Sequence, residues 1–206
     1  MIHRRHFLLT TSAVLAGSAQ MVQAAGYPER PITFICPWPA GGTADVTMRA
    51  LCLAAGRQLG QPVVLENRAG ASGMLGLKAL ASAKPDGYTV GQIPISVTRF
   101  SQLGSVQVDP LKDLAYLART SGQTFGIAVR ADSPWKTLKE LVAHAKANPG
   151  KVTYGSSGLG GATHVGMEEF AAVAGVQFNH IPYKGGAPAM QDLMGGQLDS
   201  LADSSS

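Results

Sequence analysis

The sequence contains only two cysteines, Cys36 and Cys52, among 206 residues. A small secreted domain held together by disulfides would contain several more, so this chain must be stabilised by a hydrophobic core. Cys36 is predicted to end a strand and Cys52 to lie inside the following helix, where each fits as a small buried apolar residue. We therefore expect both thiols to remain unpaired.

Charged residues are also scarce, at 15% of the chain, and neither sign dominates. Once the two arginines of the N-terminal leader described below are set aside, 15 basic residues face 13 acidic ones, which gives a net charge of +2. So small a charge does not indicate a nucleic-acid or membrane surface as the partner. The hydrophobic fraction of 45% is typical of a globular protein.

Motifs that would indicate catalysis or a cofactor are missing from the sequence. No group of cysteines and histidines has metal-ligand spacing, and no Gly-rich turn carries the lysine of a P-loop. Leu159 replaces the last glycine of a nucleophile elbow, and Thr163 replaces that of a dinucleotide fingerprint. We therefore predict a binding protein without metal or cofactor rather than an enzyme.

The N-terminal segment has the pattern of an export signal. MIHRRHFLLTTSAVLAGSAQMVQA begins with basic residues, continues with an apolar stretch and ends in small residues. The pair Arg4–Arg5 followed by HFLL favours a twin-arginine signal over a general secretory one. We predict a signal peptide at residues 1–24, cleavage after about Ala24 and a periplasmic location.

The rest of the sequence alternates between short apolar runs and helical patterns, and the alternation starts again near residue 130. This order predicts an α/β fold of two lobes with mostly parallel sheets and a cleft between them, lobe 1 at residues 25–125 and lobe 2 at 126–206. LAYLAR and TFGIAVRAD are both predicted as strands. Because LDSLAD would leave a strand without its following helix, we expect the sequence to be a fragment.

The first long helix is predicted from Thr43 to Leu59. Its apolar residues indicate which face should be buried against the sheet. That predicted face consists of Val46, Ala50, Leu51, Ala54, Ala55 and Leu59.

Two Gly-rich turns, PWPAGG and GSSGLGG, each join a predicted strand to a predicted helix. Glycines let backbone N–H groups point toward one spot at the positive end of a helix, and ligands of α/β sheets bind beyond the carboxyl ends of strands. Either turn alone could simply be a tight turn, but together they predict an anion site. The candidate contacts in the turns are Pro39, Ala40, Gly41, Gly42, Ser156, Ser157 and Gly158.

Five side chains near these turns are further candidates. Asp45 lies in a first helical turn, where we favour a role in shaping the loop over ligand contact. His164 could donate to a carboxylate or serve only the helix start, and Arg99 could pair with an anion or lie in solvent. Ser96 is predicted at the cleft end of the third strand. Asp203 would repel an anion unless it binds a hydroxyl or amine of the ligand.

Five segments together resemble the periplasmic substrate-binding proteins of tripartite tricarboxylate transporters, the Bug family: YPERPITFICPWPAGGTAD, GQPVVLENRAGASG, KPDGYT, LVAHAKANPGKVTYGSSG and HIPYKGGAPAMQDLMGGQLD. The resemblance runs from Tyr27 to about Asp203. It implies a periplasmic binding protein of type II whose carboxylate-binding loops match Pro39–Asp45 and Gly155–His164 here. Ala69 stands where the family often has proline. Family members continue past residue 206, so the resemblance implies a C-terminally truncated chain in which lobe 2 and the return to lobe 1 are incomplete.

The resemblance also implies the partners. It implies capture of a small organic carboxylate and its delivery to the membrane permease subunits of a tripartite transporter, or to the periplasmic domain of a sensor kinase. We expect a monomer. The alternative is an exported α/β hydrolase acting on a carboxylate ester or amide, with Ser156, Ser157 and His164 as its machinery.

Overall fold

The computed structural model describes residues 26–120, 122 and 124–205, so the predicted signal peptide lies outside the described residues. Strands and helices alternate along the chain. The first half contains β1 (Ile32–Cys36), α1 (Thr43–Leu59), β2 (Val63–Asn67), a 3₁₀ turn (Ala71–Gly73), α2 (Met74–Ala81), β3 (Thr89–Gly91) and α3 (Val97–Gln102). The second half contains β4 (Thr124–Val129), α4 (Leu138–Ala147), β5 (Thr153–Ser156), α5 (Ala162–Ala174), β6 (Asn179–Pro182), α6 (Gly186–Met194) and β7 (Ser200–Ser205).

The strands form two separate sheets, one in each lobe. The first has the order β2-β1-β3, and both of its pairs are parallel. The second has the order β4-β7-β5-β6, in which β5 pairs in parallel with β6 and β7 while β4 runs antiparallel to β7. The predicted two-lobed α/β fold with mostly parallel sheets is therefore confirmed. The boundary between residues 125 and 126 stays a prediction, although β4 already begins at Thr124.

One predicted strand is wrong. The segment LAYLAR contains no strand, and Tyr116 and Leu117 are 59% and 81% exposed. An apolar run becomes a strand only where another strand offers hydrogen-bond partners, and none of the described strands pairs with this run. TFGIAVRAD does contain a strand, β4, which is paired with β7.

The predicted buried face of α1 is also wrong. The buried residues of this helix are Asp45, Met48 and Cys52, whereas Val46 is 61% exposed and Leu59 is 41% exposed. The reason is that the Asp45 carboxylate turns inward to accept hydrogen bonds from Gly41 and Asn67. This rotation points the apolar residues that we expected in the core toward the surface.

Each lobe has its own hydrophobic core. In lobe 1, α2 and α3 pack against the segment after α3, with Met74, Leu77, Val97, Val106 and Val108 buried together. In lobe 2, buried clusters lie between the sheet and the helices α4, α5 and α6. Each of these four clusters contains residues of one lobe only.

Both cysteines are buried and unpaired, as expected. Burial raises the pKa of the Cys36 and Cys52 thiols, which makes their reactive thiolate forms scarcer. Within the described ranges, no helix is both long and apolar enough to span a membrane. The same ranges hold no group of histidine, cysteine and acidic side chains arranged to ligate a metal ion.

The hydrophobic core of lobe 2 can be tested by truncating Leu201. This residue lies on β7 with no exposed surface and packs against Ala189, Leu193 and Leu198. We expect Leu201→Ala to lower the free energy of unfolding by about 2–5 kcal/mol, because the loss of transfer energy adds to the cost of a cavity. Val173→Ala is the control, since Val173 is 86% exposed on α5 and its truncation should cost less than about 0.5 kcal/mol. Urea titration of both variants measures the difference, and equal midpoints would contradict this account of the core.

Candidate functional site

A cavity of about 330 Å³ lies between the two lobes, and we call it the interlobe cavity. Its lobe 1 wall comes from the turn after β1, the start of α1 and the segment after β3. Its lobe 2 wall comes from the turn after β5 and from α5, α6 and the end of β7. Six of the predicted site residues line it: Pro39, Gly41, Gly42, Ser96, Ser157 and Asp203.

The other six predicted site residues lie outside its lining: Ala40, Asp45, Arg99, Ser156, Gly158 and His164. A second, wider opening of about 2,150 Å³ is lined only by residues between Phe34 and Phe125. None of the predicted site residues borders that opening. The interlobe cavity is therefore the candidate site.

Three of the helices that begin at the interlobe cavity follow a glycine and have no side-chain cap. The residues before α1, α5 and α6 are Gly42, Gly161 and Gly185, and none of these helices has a side-chain hydrogen bond at its N-cap. The first N–H groups of a helix have no partner within it, so they remain available to a ligand. Away from the cavity, α4 has a complete capping box between Thr137 and Glu140. Missing caps are not confined to the cavity, because α2 also follows a glycine, Gly73, without a side-chain cap.

The first of these turns is held in shape by Asp45. Its carboxylate accepts hydrogen bonds from the Gly41 backbone N–H at 3.0 Å, from Asn67 Nδ2 at 2.9 Å and from Arg49 at 2.7 Å. Burial alone would raise the pKa of Asp45, but these bonds outweigh it and keep the pKa below its ordinary value. With both oxygens engaged, Asp45 is in the position expected of a loop-shaping residue.

Gly41 occupies a backbone conformation that few other residues adopt, with φ of +81°. The N–H group of this glycine is the one that Asp45 fixes. The chain then turns at Gly42 and enters α1. The sequence PWPAGGTAD therefore makes a rigid turn rather than a flexible one.

The second turn rests on a buried polar layer in lobe 2. Ser156 is fully buried, and its Oγ lies 2.7 Å from His180 Nε2 and accepts a hydrogen bond from the Gly158 N–H. The His180 ring stacks on that of His164, with ring centroids 4.1 Å apart. His164 Nδ1 in turn accepts a hydrogen bond from the Gly160 N–H at 3.1 Å. Ser156 and His164 therefore shape the turn from behind.

Ser157 faces the cavity from the same turn. Its hydroxyl lies 2.9 Å from Thr163 Oγ1, and Thr163 also lines the cavity. The Ser156–His180 contact has the spacing of a nucleophile and its base, but Ser156 has no exposed surface that a substrate could reach.

Sequence reasoning missed the third turn, at Lys184 to Gly186. Gly186 and Ala187, the first residues of α6, line the cavity from lobe 2. Like the two turns that we predicted, this turn follows a strand, contains paired glycines and leads into a helix. That repetition was the signal that could have identified it. Thr47, Gln92, Phe125 and Gln191 also line the cavity and were not predicted.

The lobes touch directly beside the cavity. Ser72 Oγ in the 3₁₀ turn of lobe 1 donates a hydrogen bond to the Leu159 carbonyl of lobe 2 at 2.8 Å. A Cβ on Gly158 would lie 2.5 Å from that same Ser72 oxygen, so a side chain there would break the contact. These contacts join the second Gly-rich turn to lobe 1.

Arg99 and Ser96 belong to α3 and the residue before it. Ser96 is buried and lines the cavity, whereas the Arg99 guanidinium lies beside Phe100 with Cζ 5.2 Å from the ring centroid. Arg99 Nη2 is buried without a hydrogen-bond partner in the described part of the chain. A Cβ on Gly160 would lie 3.9 Å from that nitrogen, which places the Arg99 guanidinium beside the second turn.

Asp203 lies on β7 at the cavity floor, next to the start of α6. Burial raises the pKa of its carboxyl group, and a hydrogen bond from the Ser204 N–H to Oδ1 opposes that shift only in part. An acid with a raised pKa that lines a cavity is a functional candidate.

The polar layer behind the second turn predicts a pH dependence. Burial, and next the nearby His164, lower the pKa of His180, while Glu168 opposes the shift. The unfolded chain therefore takes up a proton near pH 6.5 that the folded chain resists, so the free energy of unfolding should fall as the pH drops below about 6.5. His180→Gln should flatten this decline in urea titrations between pH 5 and 8.

His144→Gln is the matched control for that experiment, because His144 is exposed on α4 and its replacement should leave the decline in place. If the His180→Gln protein lost stability with falling pH as steeply as the unmodified protein, the decline would have another source.

The sequence was next compared with known proteins. The profile of the family described as "Tripartite tricarboxylate transporter family receptor" matches residues 47–206. A Cupriavidus necator protein described as "UPF0065 protein in gbd 5'region" is 44% identical over 209 aligned positions, which cover 98% of this chain and 64% of that protein. Protein BugT of Bordetella pertussis is 38% identical and is matched over 88% of this chain and 56% of its own length. The chain thus spans about 56–64% of the length of these relatives.

Solved structures agree with these matches. "Structure of a periplasmic transporter" superimposes with a TM-score of 0.82 at 36% identity, over 86% of this chain and 60% of the other. MatC from Rhodopseudomonas palustris, solved with bound malate, superimposes with a TM-score of 0.77 at 25% identity, over 86% of this chain and 61% of the other. Together with the family match, they show that the chain belongs to the tripartite tricarboxylate transporter receptor family, the Bug-type periplasmic binding proteins, and has their α/β fold.

Proposed function

We propose that this protein is a periplasmic receptor that captures a small organic carboxylate in the interlobe cavity. One observation carries the proposal: three helices with uncapped glycine N-termini begin at a single cavity between two lobes. Such N-termini favour negative charge and supply N–H donors to it. The malate bound to the MatC structure supports a carboxylate as the ligand.

The magnitudes support a site built from all three turns rather than from one. A helix N-terminus stabilises an anion by about 0.3–1 kcal/mol, and by at most ~2 kcal/mol when partly buried. Micromolar binding needs about 8 kcal/mol, so three N-termini supply at most roughly three quarters of it. Direct hydrogen bonds and apolar contacts with Trp38, Pro39 and Met190, which line the cavity, would supply the rest.

We further propose export through the predicted twin-arginine signal and delivery of the ligand to the permease subunits of a tripartite transporter. Membership of the receptor family supports that partner. A sensor kinase domain remains the alternative partner. A column that carries the ligand-loaded protein should retain either the permease subunits or the sensor kinase domain, whichever the protein serves. If the column retained neither the permease subunits nor the sensor kinase domain, both proposed partners would be contradicted.

We propose a binding function rather than catalysis. The hydrolase alternative needs a serine that is both accessible and activated by a base, but Ser156 is fully buried, and the Ser157 hydroxyl, which faces the cavity, is bonded to Thr163, which cannot act as a base. Both partners of the Ser156–His180 contact belong to the layer behind the turn. Hydrolysis of small carboxylate esters that disappears in a Ser157→Ala variant would revive the alternative.

A thermal-shift assay with small carboxylates tests the proposed function. A ligand at about 100 times its dissociation constant adds about 2.7 kcal/mol of stability. For a chain of this size we expect an increase of roughly 5–11 °C in melting temperature with at least one acid and none with sugars. If no acid changed the melting temperature of a cooperatively folded protein, carboxylate binding would be ruled out.

Replacing Gly42 with phenylalanine should abolish that shift. A Cβ on Gly42 would point at the Ala187 Cβ of α6, 3.5 Å away, so a benzyl group has no room and must push the lobes apart. Gly166→Phe is the control, because Gly166 is exposed on α5 and its Cβ would meet no atom within 4 Å. A Gly42→Phe protein that bound the acid normally would contradict the proposed site.

Removing the hydrogen bond between the lobes should weaken binding without abolishing it. Ser72→Ala deletes the donor to the Leu159 carbonyl, and a net loss of about 0.5–1.5 kcal/mol corresponds to roughly 2–12-fold weaker affinity. Ser82→Ala is the matched control, since the Ser82 hydroxyl, just after α2, donates to the Lys78 carbonyl within lobe 1. Isothermal titration calorimetry measures both, and equal affinities would show that this bond does not contribute to closure.

A further inference from the structure

A positive charge lies without a partner where the two lobes meet. In the described part of the chain, Arg99 Nη2 is buried and makes no hydrogen bond, and none of the ion pairs found there includes Arg99. Its aromatic neighbour is Phe100, with the ring centroid 5.2 Å from Cζ. A ring face recovers only part of the hydration that a buried cation loses, so a nearby anion would stabilise this guanidinium.

The second Gly-rich turn of lobe 2 packs against this guanidinium. A Cβ on Gly160 would lie 3.9 Å from Arg99 Nη2 and 3.1 Å from Phe100 Cζ, so both side chains of α3 approach the backbone of the turn. Beside them, Ser72 Oγ bonds to the Leu159 carbonyl of the same turn. Contact between the lobes therefore buries Arg99, and separation of the lobes would return it to water.

The turn offers Arg99 no acceptor in exchange for the lost water. The Leu159 carbonyl accepts its hydrogen bond from Ser72 of lobe 1. His164 Nδ1 accepts from the Gly160 N–H at 3.1 Å. Neither of these acceptors bonds to Arg99 Nη2. Contact between the lobes thus removes water from a cation without replacing its hydrogen bonds, and that loss opposes the contact.

An anion in the interlobe cavity would be close to this charge. Ser157 and Thr163 line the cavity from the same turn, and α5 begins there without a side-chain cap. Asp203 is the only ionisable side chain among the described residues that line the cavity, and it lies against Gly186 at the start of α6 rather than at the second turn. A carboxylate at the start of α5 would therefore be stabilised by Arg99, whereas an uncharged ligand would not.

The size of this effect follows from Coulomb's law. At an effective dielectric constant of about 20, opposite unit charges that are about 8–12 Å apart attract each other enough to change an affinity roughly 10–30-fold. The guanidinium can thus act on a carboxylate in the cavity without touching it.

We propose that Arg99 makes contact between the lobes depend on a bound anion. In the empty protein, the cost of burying the unpaired guanidinium favours separated lobes. A carboxylate at the start of α5 offsets that cost through its charge and so favours the closed arrangement. Arg99 is therefore a positioning residue that couples the charge of the ligand to closure. This inference rests on the proposed carboxylate-binding function and adds the means by which the protein rejects uncharged ligands of the same shape.

The first test compares acids with their amides, which have nearly the same shape and no charge. The probes are propionate, lactate and succinate with propionamide, lactamide and succinamide, and isothermal titration calorimetry measures their affinities. The unmodified protein should prefer the acid that it binds most tightly over the matching amide. Arg99→Gln should reduce this preference at least about tenfold, because glutamine keeps hydrogen-bonding groups but removes the charge.

The second test follows the lobes in the empty protein. Leu111→Cys in lobe 1 and Val173→Cys in lobe 2 provide sites for two spin labels, because both residues are 86% exposed. Cys36 and Cys52 are buried and should not compete for the label. Pulsed electron paramagnetic resonance measures the distances between the labels. The distances in the empty Arg99→Gln protein should shift toward those of the acid-loaded unmodified protein, which loss of a merely structural contact would not cause.

Two variants serve as controls. Arg99→Lys keeps the positive charge, so it should retain most of the preference for the acid. Arg57→Gln removes an exposed charge roughly 20 Å along α1 from the cavity and should change neither measurement. The melting temperature of each free variant shows whether it is folded.

The outcomes separate the two proposals. Binding of no acid by the unmodified protein would overturn both. Acid binding with an unchanged acid preference and unchanged distances in Arg99→Gln would overturn the inference and leave the carboxylate-binding function intact. Loss of the acid preference together with closure of the empty protein in Arg99→Gln, neither of which occurs in Arg99→Lys, is the result that we expect.

Discussion

The arrangement of the site depends on one constraint, which is that the strands before the three Gly-rich turns run in parallel. β5 and β6 pair in parallel within one sheet, and β1 is flanked by parallel strands in the other. In a parallel sheet every strand-to-helix turn lies at the same edge, and each following helix presents its positive end there. Two such edges that face each other enclose a cavity whose donors are all backbone groups.

This way of building a site explains why its supporting residues lie behind it. Backbone donors are useful only if the turn that carries them is rigid, since a flexible turn would have to be ordered by the ligand. Asp45 fixes the first turn through the Gly41 N–H, and His164 fixes the second through the Gly160 N–H. Both side chains are outside the cavity lining. These two side chains hold the backbone N–H donors in place. The hydrogen bonds that the two side chains make offset the cost of burying them.

Much of the fold could be predicted from the sequence because its strands and helices have clear patterns and clear ends. Paired glycines between a strand and a helix identified two of the three turns. The buried face of α1 could not be predicted, because its rotation follows from hydrogen bonds of Asp45 to residues as distant in sequence as Asn67. The LAYLAR strand failed because a strand needs a partner, which composition cannot reveal.

The residues of the Gly-rich turns could be predicted from the sequence. The side chains whose position depends on tertiary packing were harder to predict. Gly41 and Gly42 line the cavity, as does Ser157. Arg99 and His164 were reasonable candidates by chemistry, yet neither lines the cavity in the folded chain. No pattern in the sequence pointed to Gln92, because its place in the cavity lining depends on how the segment after β3 faces the opposite lobe. Asp203 carried a signal, since an acid at a predicted anion site needs an explanation.

The central claim is that backbone amides at the starts of α1, α5 and α6 hold the ligand, and it can be tested at those atoms. The measurement is a titration of ¹⁵N-labelled protein with the tightest-binding acid, followed by amide chemical shifts. We predict that the largest shifts occur at Thr43, Ala162 and Gly186 and at their neighbours in the three turns. Saturable binding that leaves these amides unchanged while it shifts others would contradict the account.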